Sequence, residues 1–369
     1  MSSKRPAAKN PPKKAKKKLT FFGVTARLVM LVIAGLLALS YLSILVSPAS
    51  LWVLSIFGLL FIPLALIDFF LLVWAIFRRS SSFWIPLLAL IPSFFFIGEY
   101  VNYHQRSDAA PEVKIVSYNV GRFGAAQDGV KRTEETCLNE VLSRLQKEKA
   151  DIICLQEFRV GSVQDIKAIC KRFFPDFECA YFAFPGSRSK VGNVTLSRFP
   201  IRSRSSQTFE ESTNLVLYTD IDMGPRLMRV CNCHLESYSI SLPGLLKRVD
   251  DEEYWKETGK KMKRSITRRP RQVDQVLKNI DNCPLDCIVC GDFNDTPMSH
   301  TYFALRKDMK DTFTEAGRGF GASYYFLWPL LRIDYVLHDS SLQATSHRSP
   351  HWGWSDHYPV ITEFVWTKK

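Results

Sequence analysis

The stretch "CIVCGDFNDTP" (287–297) decides how the rest of the chain is read. Cys287 to Cys290 are apolar, a run suited to a strand buried on both faces. The chain then places Asp292 and Asn294 at the end of that strand. Burying a carboxylate and an amide is costly unless they are held by partners. The same apolar texture recurs outward from this point, in "VKIVSYNV" (113–120), "DIICLQEF" (151–158), "NVTLSRF" (193–199) and "LVLYTDIDM" (215–223). It continues in "RVCNCHL" (229–235), "IDYVLH" (333–338) and "PVITEFVW" (359–366), all rich in β-branched and apolar residues. Leu138, Val141, Leu142 and Leu145 fall at helical spacing within 131–150, and a second helix is expected over 272–280. Many strands with few helices and no internal repeat indicate an α/β or α+β fold with sheets as its core.

Polar side chains recur at the strand ends: Asn119, Glu157, His234, Asp292 with Asn294, Asp334, and the pair Asp356 and His357. A single one is usually a cap or turn, and Asp295 before "TP" is read that way, as the start of a helix. Six such ends exceed what capping explains. Carboxylates gathered at strand tips can hold a hard divalent cation, and imidazoles beside them can move protons. No serine elbow or cysteine nucleophile motif is present, which fits direct attack by water.

In this order the blocks Asn119, Glu157, His234, "GDFND", "RIDY" and "SDH" resemble the endonuclease/exonuclease/phosphatase superfamily, over about residues 112–366. The resemblance implies a DNase I-like four-layer sandwich of two β-sheets flanked by helices. It also implies phosphate-ester hydrolysis assisted by magnesium or manganese. Carried over residue by residue, Glu157 corresponds to the main metal ligand, with Asn119 beside it and Asp356 as a further ligand. Asp292 corresponds to the carboxylate that orients or deprotonates water, and Asn294 to a contact with a phosphate oxygen. His357 corresponds to the histidine on the scissile phosphate, and Asp334 to its orienting carboxylate. His234 corresponds to a proton-transfer or phosphate-contacting histidine of the DNase-like and sphingomyelinase-like branches. Gly121 stands where the apurinic endonucleases carry an acid, so that branch fits less well. Asn193 and Arg271 are the substrate-binding candidates, each with a plainer role open to it, as a turn residue and a solvated helix start. A catalytically silent phosphate- or nucleic-acid-binding module on the same fold is the alternative.

Ahead of this part lies a region of different character. Residues 1–27 hold nine Lys/Arg and no acid, an expected cytoplasmic tail. Residues 28–46, 51–77 and 83–98 are apolar runs expected to form about three transmembrane helices, with 99–111 as a polar linker and 112–369 as the catalytic domain. Asp68 interrupts the second run and is read as a carboxyl turned into the bundle or near the interface. The positive-inside rule then predicts an integral membrane protein with its N-terminus in the cytoplasm and its catalytic domain outside. A re-entrant third run would reverse that parity. The expected partners are the lipid bilayer and a phosphate-ester substrate: nucleic acid, phospholipid or a small phosphorylated molecule.

The formal net charge of +13 argues less for nucleic acid than it first suggests. Twelve of the 49 basic residues and only three of the 36 acidic ones precede residue 112, so the remainder is nearly balanced. One basic run stands out: eight Lys/Arg from Lys256 to Arg271 against the single acid Glu257. It suits a phosphate backbone, an anionic membrane surface or a solvated loop. The nine cysteines all lie beyond residue 136, many in strand-like runs, with no paired zinc-ligand spacing.

Overall fold

The computed structural model describes residues 21–367 apart from 106, 108, 125–131, 187–189, 225 and 239–246. The first twenty residues of the basic tail lie outside the described residues. Two mixed six-stranded sheets form the centre. Numbered along the chain, the strands are β1 (Val101–Tyr103), β2 (Val113–Asn119), β3 (Ile152–Arg159), β4 (Glu178–Ala183), β5 (Val191–Ser197), β6 (Ile201–Thr208) and β7 (Leu215–Asp222). They continue as β8 (Leu227–His234), β9 (Asp286–Asp292), β10 (Lys310–Asp311), β11 (Arg318–Phe320), β12 (Asp334–His338), β13 (Leu342–Arg348) and β14 (Val360–Trp366). One sheet has the order β13-β14-β2-β3-β5-β4, the other β10-β12-β9-β8-β7-β6. Only β2–β3 and β8–β9 pair in parallel within them.

The period-two alternation of the central strands sends one set of side chains inward. Ile115, Cys154, Val230, Ile288, Val336 and Val360 meet between the sheets. The opposite set faces helices. Val116, Ile153 and Leu155 pack under Val141, Leu142 and Leu145 of the helix Glu134–Glu148. Tyr218, Cys231 and Val289 pack under Val273 and Val276 of the helix Glu252–Asp281. Helix, sheet, sheet, helix is the predicted four-layer, DNase I-like sandwich. All nine cysteines are free thiols, most of them buried in these layers as small apolar groups.

Several expectations change. The run Lys256–Arg271 is part of that 30-residue helix rather than a loop. Asp251 caps the helix by accepting from the Tyr254 amide, and Pro270 is tolerated inside it as a buried residue. Asp295 starts no helix: the next one begins at His300, capped by Ser299. Asp295 instead forms a buried ion pair with Arg269 at 2.8 Å and accepts from the Tyr238 hydroxyl. The stretch 99–111 is no free linker at its start. Glu99 is buried and accepts from Tyr302 and Arg306, and β1 pairs with β11.

The N-terminal region forms a small helical bundle. Helix Phe21–Leu42 is long and apolar enough to cross a bilayer, a test that a signal sequence also passes. The run 51–77 is not one straight helix but two, Val53–Leu59 and Phe61–Phe77, bent by 63°. The third run is a short helix, Trp84–Leu90, continued by a 3-10 turn over Ile91–Phe95. Asp68 faces the inside of the bundle, and neither carboxylate oxygen has a hydrogen-bond partner among the described residues. The sandwich sits on one end of this bundle: Met298 packs against Leu37, Phe61 and Tyr100, and Ser43 donates to the Met298 carbonyl at 2.8 Å.

Candidate active site

The site is built by strand ends from both sheets. β8 and β9 run in parallel register so that His234 lies beside Asp292, and β12 places Asp334 on the other side of Asp292. Gly291, at φ 129°, lets β9 turn there: a Cβ would stand 2.0 Å from the Cys233 carbonyl oxygen. From the facing sheet, Asn119 ends β2 and its amide reaches across to Asp292 Oδ2 at 3.0 Å. In β3, Gln156 and Glu157 stand opposite the single residue Asn193. This bulge, with Glu157 at φ 52°, re-aims the carboxylate at the rim.

Asp292 is the hub. Its Oδ1 accepts from the Asn294 backbone N–H at 2.8 Å, and its Oδ2 accepts from the side chains of Asn119 and Asn294. The Nε2 atoms of His234 and His357 both lie 3.7 Å from Oδ2. Burial pushes the Asp292 carboxyl above the usual carboxylate range, against the opposing pull of His357 and His234.

The two imidazoles are held in opposite senses. The Asn214 amide donates both to the Leu235 carbonyl, at 2.6 Å, and to His234 Nδ1, at 2.9 Å. A neutral His234 therefore carries its proton on Nε2 and presents a donor to the cleft. His357 donates from Nδ1 to Asp334 Oδ2 at 2.8 Å and aims Nε2 towards Asp292. Burial opposes charge on His357, but Asp334 and Asp292 outweigh it and hold the imidazole well above its ordinary pKa. Phe184 stacks on His234 at 5.1 Å, and Tyr324 lies edge-on to His357 at 5.0 Å.

Glu157 forms the second pole. Burial would raise its pKa, but His234, whose Nε2 lies 3.4 Å from Glu157 Oε1, with Arg122 and His357, lowers it to about 2. Arg122 Nε sits 2.8 Å from Glu157 Oε2, supplying a positive charge at an oxygen-rich rim where a cation would also be welcome. Donor chemistry fits a hard divalent ion there, with Glu157 and the Asn119 carbonyl oxygen as first candidates. One buried polar atom in this region, Asp334 Oδ1, lacks a hydrogen-bond partner among the described residues. Asp292, Asp334 and His357 also bring ligand-type atoms within 4.8 Å of one another. That cluster is the imidazole bridging two carboxylates, and differs from the expected ligand set of Asn119, Glu157 and Asp356.

Three other candidates take up definite places in the fold. The Asn294 amide is committed to Asp292 and to the Leu235 carbonyl, so it braces Asp292 rather than reaching for phosphate. Asn193 is fully buried and its amide donates to the Asn232 and Leu215 carbonyls, stitching the sheets beneath His234. Arg271 is exposed on its long helix, while its neighbour Arg269 is the buried one, paired with Asp295. Asp356 is half-buried and accepts from Ser355 at the edge of the site. Sequence reasoning missed Arg122 and Asn214. Asn214, directly before the strand "LVLY", follows the same polar-at-a-strand-end pattern and was legible; Arg122 lies in a turn with no such signal.

The family model described as "Endonuclease/Exonuclease/phosphatase family" matches residues 116–357, and the chain belongs to that family. Members of the family are generally hydrolases of phosphate esters and typically use divalent metals. Residues 20–100 match a domain of unknown function (DUF8431). No curated protein matches the chain. Among solved structures it is similar to the endonuclease/exonuclease/phosphatase from Bacteroides vulgatus, with 14% identity and TM-score 0.52, covering 69% of this chain and 99% of that one. It is also similar to the human Nocturnin catalytic domain, with 17% identity, TM-score 0.48 and 71% and 97% coverage. A mannosyl-6-phosphatase from Bacteroides thetaiotaomicron is similar at 15% identity, TM-score 0.48 and 69% and 100% coverage.

Proposed function

We propose that this chain is a membrane-anchored, divalent-cation-dependent phosphoesterase that uses an activated water directly. The observation that carries the reading is Asp292 Oδ2, braced by two amides and flanked at 3.7 Å by the Nε2 atoms of two imidazoles. Glu157 and Asn119 would hold magnesium or manganese, which when bound neutralises charge on the phosphate and favours nucleophilic attack. Asp292, its carboxyl raised by burial, orients the water and takes its proton. The water oxygen bonds to phosphorus as an ester P–O bond breaks. Protonated His357, steadied by Asp334, donates from Nε2 to the phosphoryl or leaving oxygen, and His234 donates from its own Nε2. The test is turnover of bis-p-nitrophenyl phosphate by the full chain in detergent with magnesium. Turnover that stops on chelation supports the reading, and none under any metal condition would favour the silent binding module.

The anchoring part of the proposal rests on inverted exposure. Leu28, Val32, Phe70, Phe77, Phe94 and Phe95 point outward from the bundle, while Asp68 and Ser93 point inward. Water is a poor solvent for that surface, whereas a bilayer suits it. Arg27 lies near Ser81 at one end of the bundle, and Tyr41 bonds Ala89 and Ser93 towards the other. Helix Phe21–Leu42 and the segment Trp84–Phe95 thus run the same way, with Phe61–Phe77 returning between them. The basic end and the sandwich therefore sit at opposite ends of the bundle, which puts the basic end inside and the sandwich outside the cytoplasm. A phosphatase fused to the C-terminus is then active; a silent fusion beside an active cytoplasmic reporter reverses the orientation.

A further inference from the structure

Resting on that reading, we propose that the substrate is a membrane lipid carrying a phosphate ester, presented to the site by an apolar loop that enters the same bilayer. The loop is Tyr325–Trp328, joined to Phe320. Phe320, Tyr325, Leu327 and Trp328 are 45–50% exposed, and Phe320 and Trp328 touch ring to ring at 5.8 Å. Large apolar side chains grouped on the surface mark a contact with something apolar.

Position identifies that contact. At one end the patch grows from the root of the helical bundle. Val101, three residues after the last apolar run, pairs with Phe320, and the Gly321 amide donates to the Tyr100 carbonyl at 2.9 Å. The patch therefore starts where the chain leaves the bundle, at the depth of a bilayer surface. Tyr103, 80% exposed, extends it on β1. A cationic side chain also lies against the bundle: the Lys263 ammonium stands 5.6 Å over the ring of Trp52, which precedes the second helix of the bundle. An aromatic fringe beside basic residues is the composition that binds an anionic lipid interface.

At its other end the loop is wired to the catalytic residues. Tyr324 lies against the His357 ring, and the Tyr325 amide donates to the Asp356 carbonyl at 2.7 Å. Ser323 Oγ accepts from the Asp334 amide at 2.9 Å. A loop fixed between the bundle and His357 brings a lipid phosphate and the catalytic rim to the same level. A soluble phosphodiester needs no such apolar surface. The step is a hydrolysis: a water oxygen bonds to phosphorus, one ester P–O bond breaks, and the departing alcohol oxygen takes a proton.

The test uses the full chain in nanodiscs of phosphatidylcholine and phosphatidylglycerol. Water-soluble and lipid phosphorus products, bis-p-nitrophenyl phosphate turnover and plasmid DNA cleavage are measured in parallel. Lipid hydrolysis is expected, and Leu327→Ser with Trp328→Ser should lower it about tenfold while bis-p-nitrophenyl phosphate turnover stays within about twofold. Separately, lipids brominated near the headgroup should quench part of the tryptophan fluorescence, and Trp328→Phe should lower that quenching, the remainder coming from Trp52, Trp74 and Trp84 of the bundle, with lipid hydrolysis kept. DNA cleavage without lipid hydrolysis, lipid hydrolysis unchanged in the double variant, or quenching unchanged in Trp328→Phe would each overturn the proposal. Loss of bis-p-nitrophenyl phosphate turnover in the wild type sinks the phosphoesterase reading and this proposal with it, whereas intact turnover with untouched lipid sinks this proposal alone.

Discussion

Replacing Asp334 by Asn probes how the site sets its proton donor. Asp334 is buried and accepts from His357 Nδ1 at 2.8 Å, and it is the strongest influence holding the imidazole charged against burial. An asparagine keeps the shape and loses the charge. A hydrogen bond to a charged group contributes about 1.5–3 kcal/mol. At about 1.4 kcal/mol per factor of ten, the variant should lose roughly 10- to 150-fold in kcat. The pH profile gives the sign. Removing the carboxylate lowers the His357 pKa, so the protonated imidazole persists only to lower pH, and the alkaline limb of activity moves down. The assay is metal-dependent bis-p-nitrophenyl phosphate turnover across pH, with thermal melting as a folding control. Wild-type activity, or a large loss with an unmoved alkaline limb, would refute the assignment of His357 as the charged donor.

Further outcomes follow from other side chains. Glu157→Gln should raise the magnesium concentration for half-maximal turnover at least about tenfold with folding retained, because it removes the charged oxygen ligand; an unchanged titration would move the cation elsewhere. His347 is buried, and burial together with Arg332 lowers its pKa to about 3. The folded chain keeps it neutral while the unfolded chain binds a proton below about pH 6.5, so stability falls as pH drops below that point, by at most about 1.4 kcal/mol per unit. His347→Gln should shrink the melting-temperature difference between neutral and mildly acid buffers, and an identical difference would argue against His347. Arg332 is buried, pairs with Asp311, donates to the Glu99 carbonyl at 2.9 Å and lies over the Phe313 ring. Arg332→Met should cost about 3–5 kcal/mol by leaving Asp311 unpaired, and a change below about 1 kcal/mol would contradict it.

What could be read in the sequence follows from where each strand sits. The interior strands, such as β2, β3, β8 and β9, are covered on both faces and stand out as apolar runs. β4, β6 and β13 were missed, and all three are edge strands. "IRSRSSQT" of β6 is largely exposed and pairs on one side only, so nothing requires an apolar pattern there. The helix Glu252–Asp281 was half hidden by its polar surface and by Pro270, which reads as a break. The helix Val163–Phe173 did carry a legible signal in its Ser162/Asp165 capping box. Asn119, His234, Asp292 and Asp334 could be found because interior strands end or begin on them. Arg122 and the loop Tyr325–Trp328 could not, because only the folded chain brings those turns to the rim.

The most direct test is to locate the cation. Crystals of the full chain with manganese, examined by anomalous scattering, should show an ion coordinated by Glu157, with Arg122 displaced from that carboxylate and His234, Asp292 and His357 around the adjoining cleft. Manganese bound only away from Glu157, or none bound while turnover persists in chelator, would contradict a cation-and-phosphate pole at this rim of the sandwich.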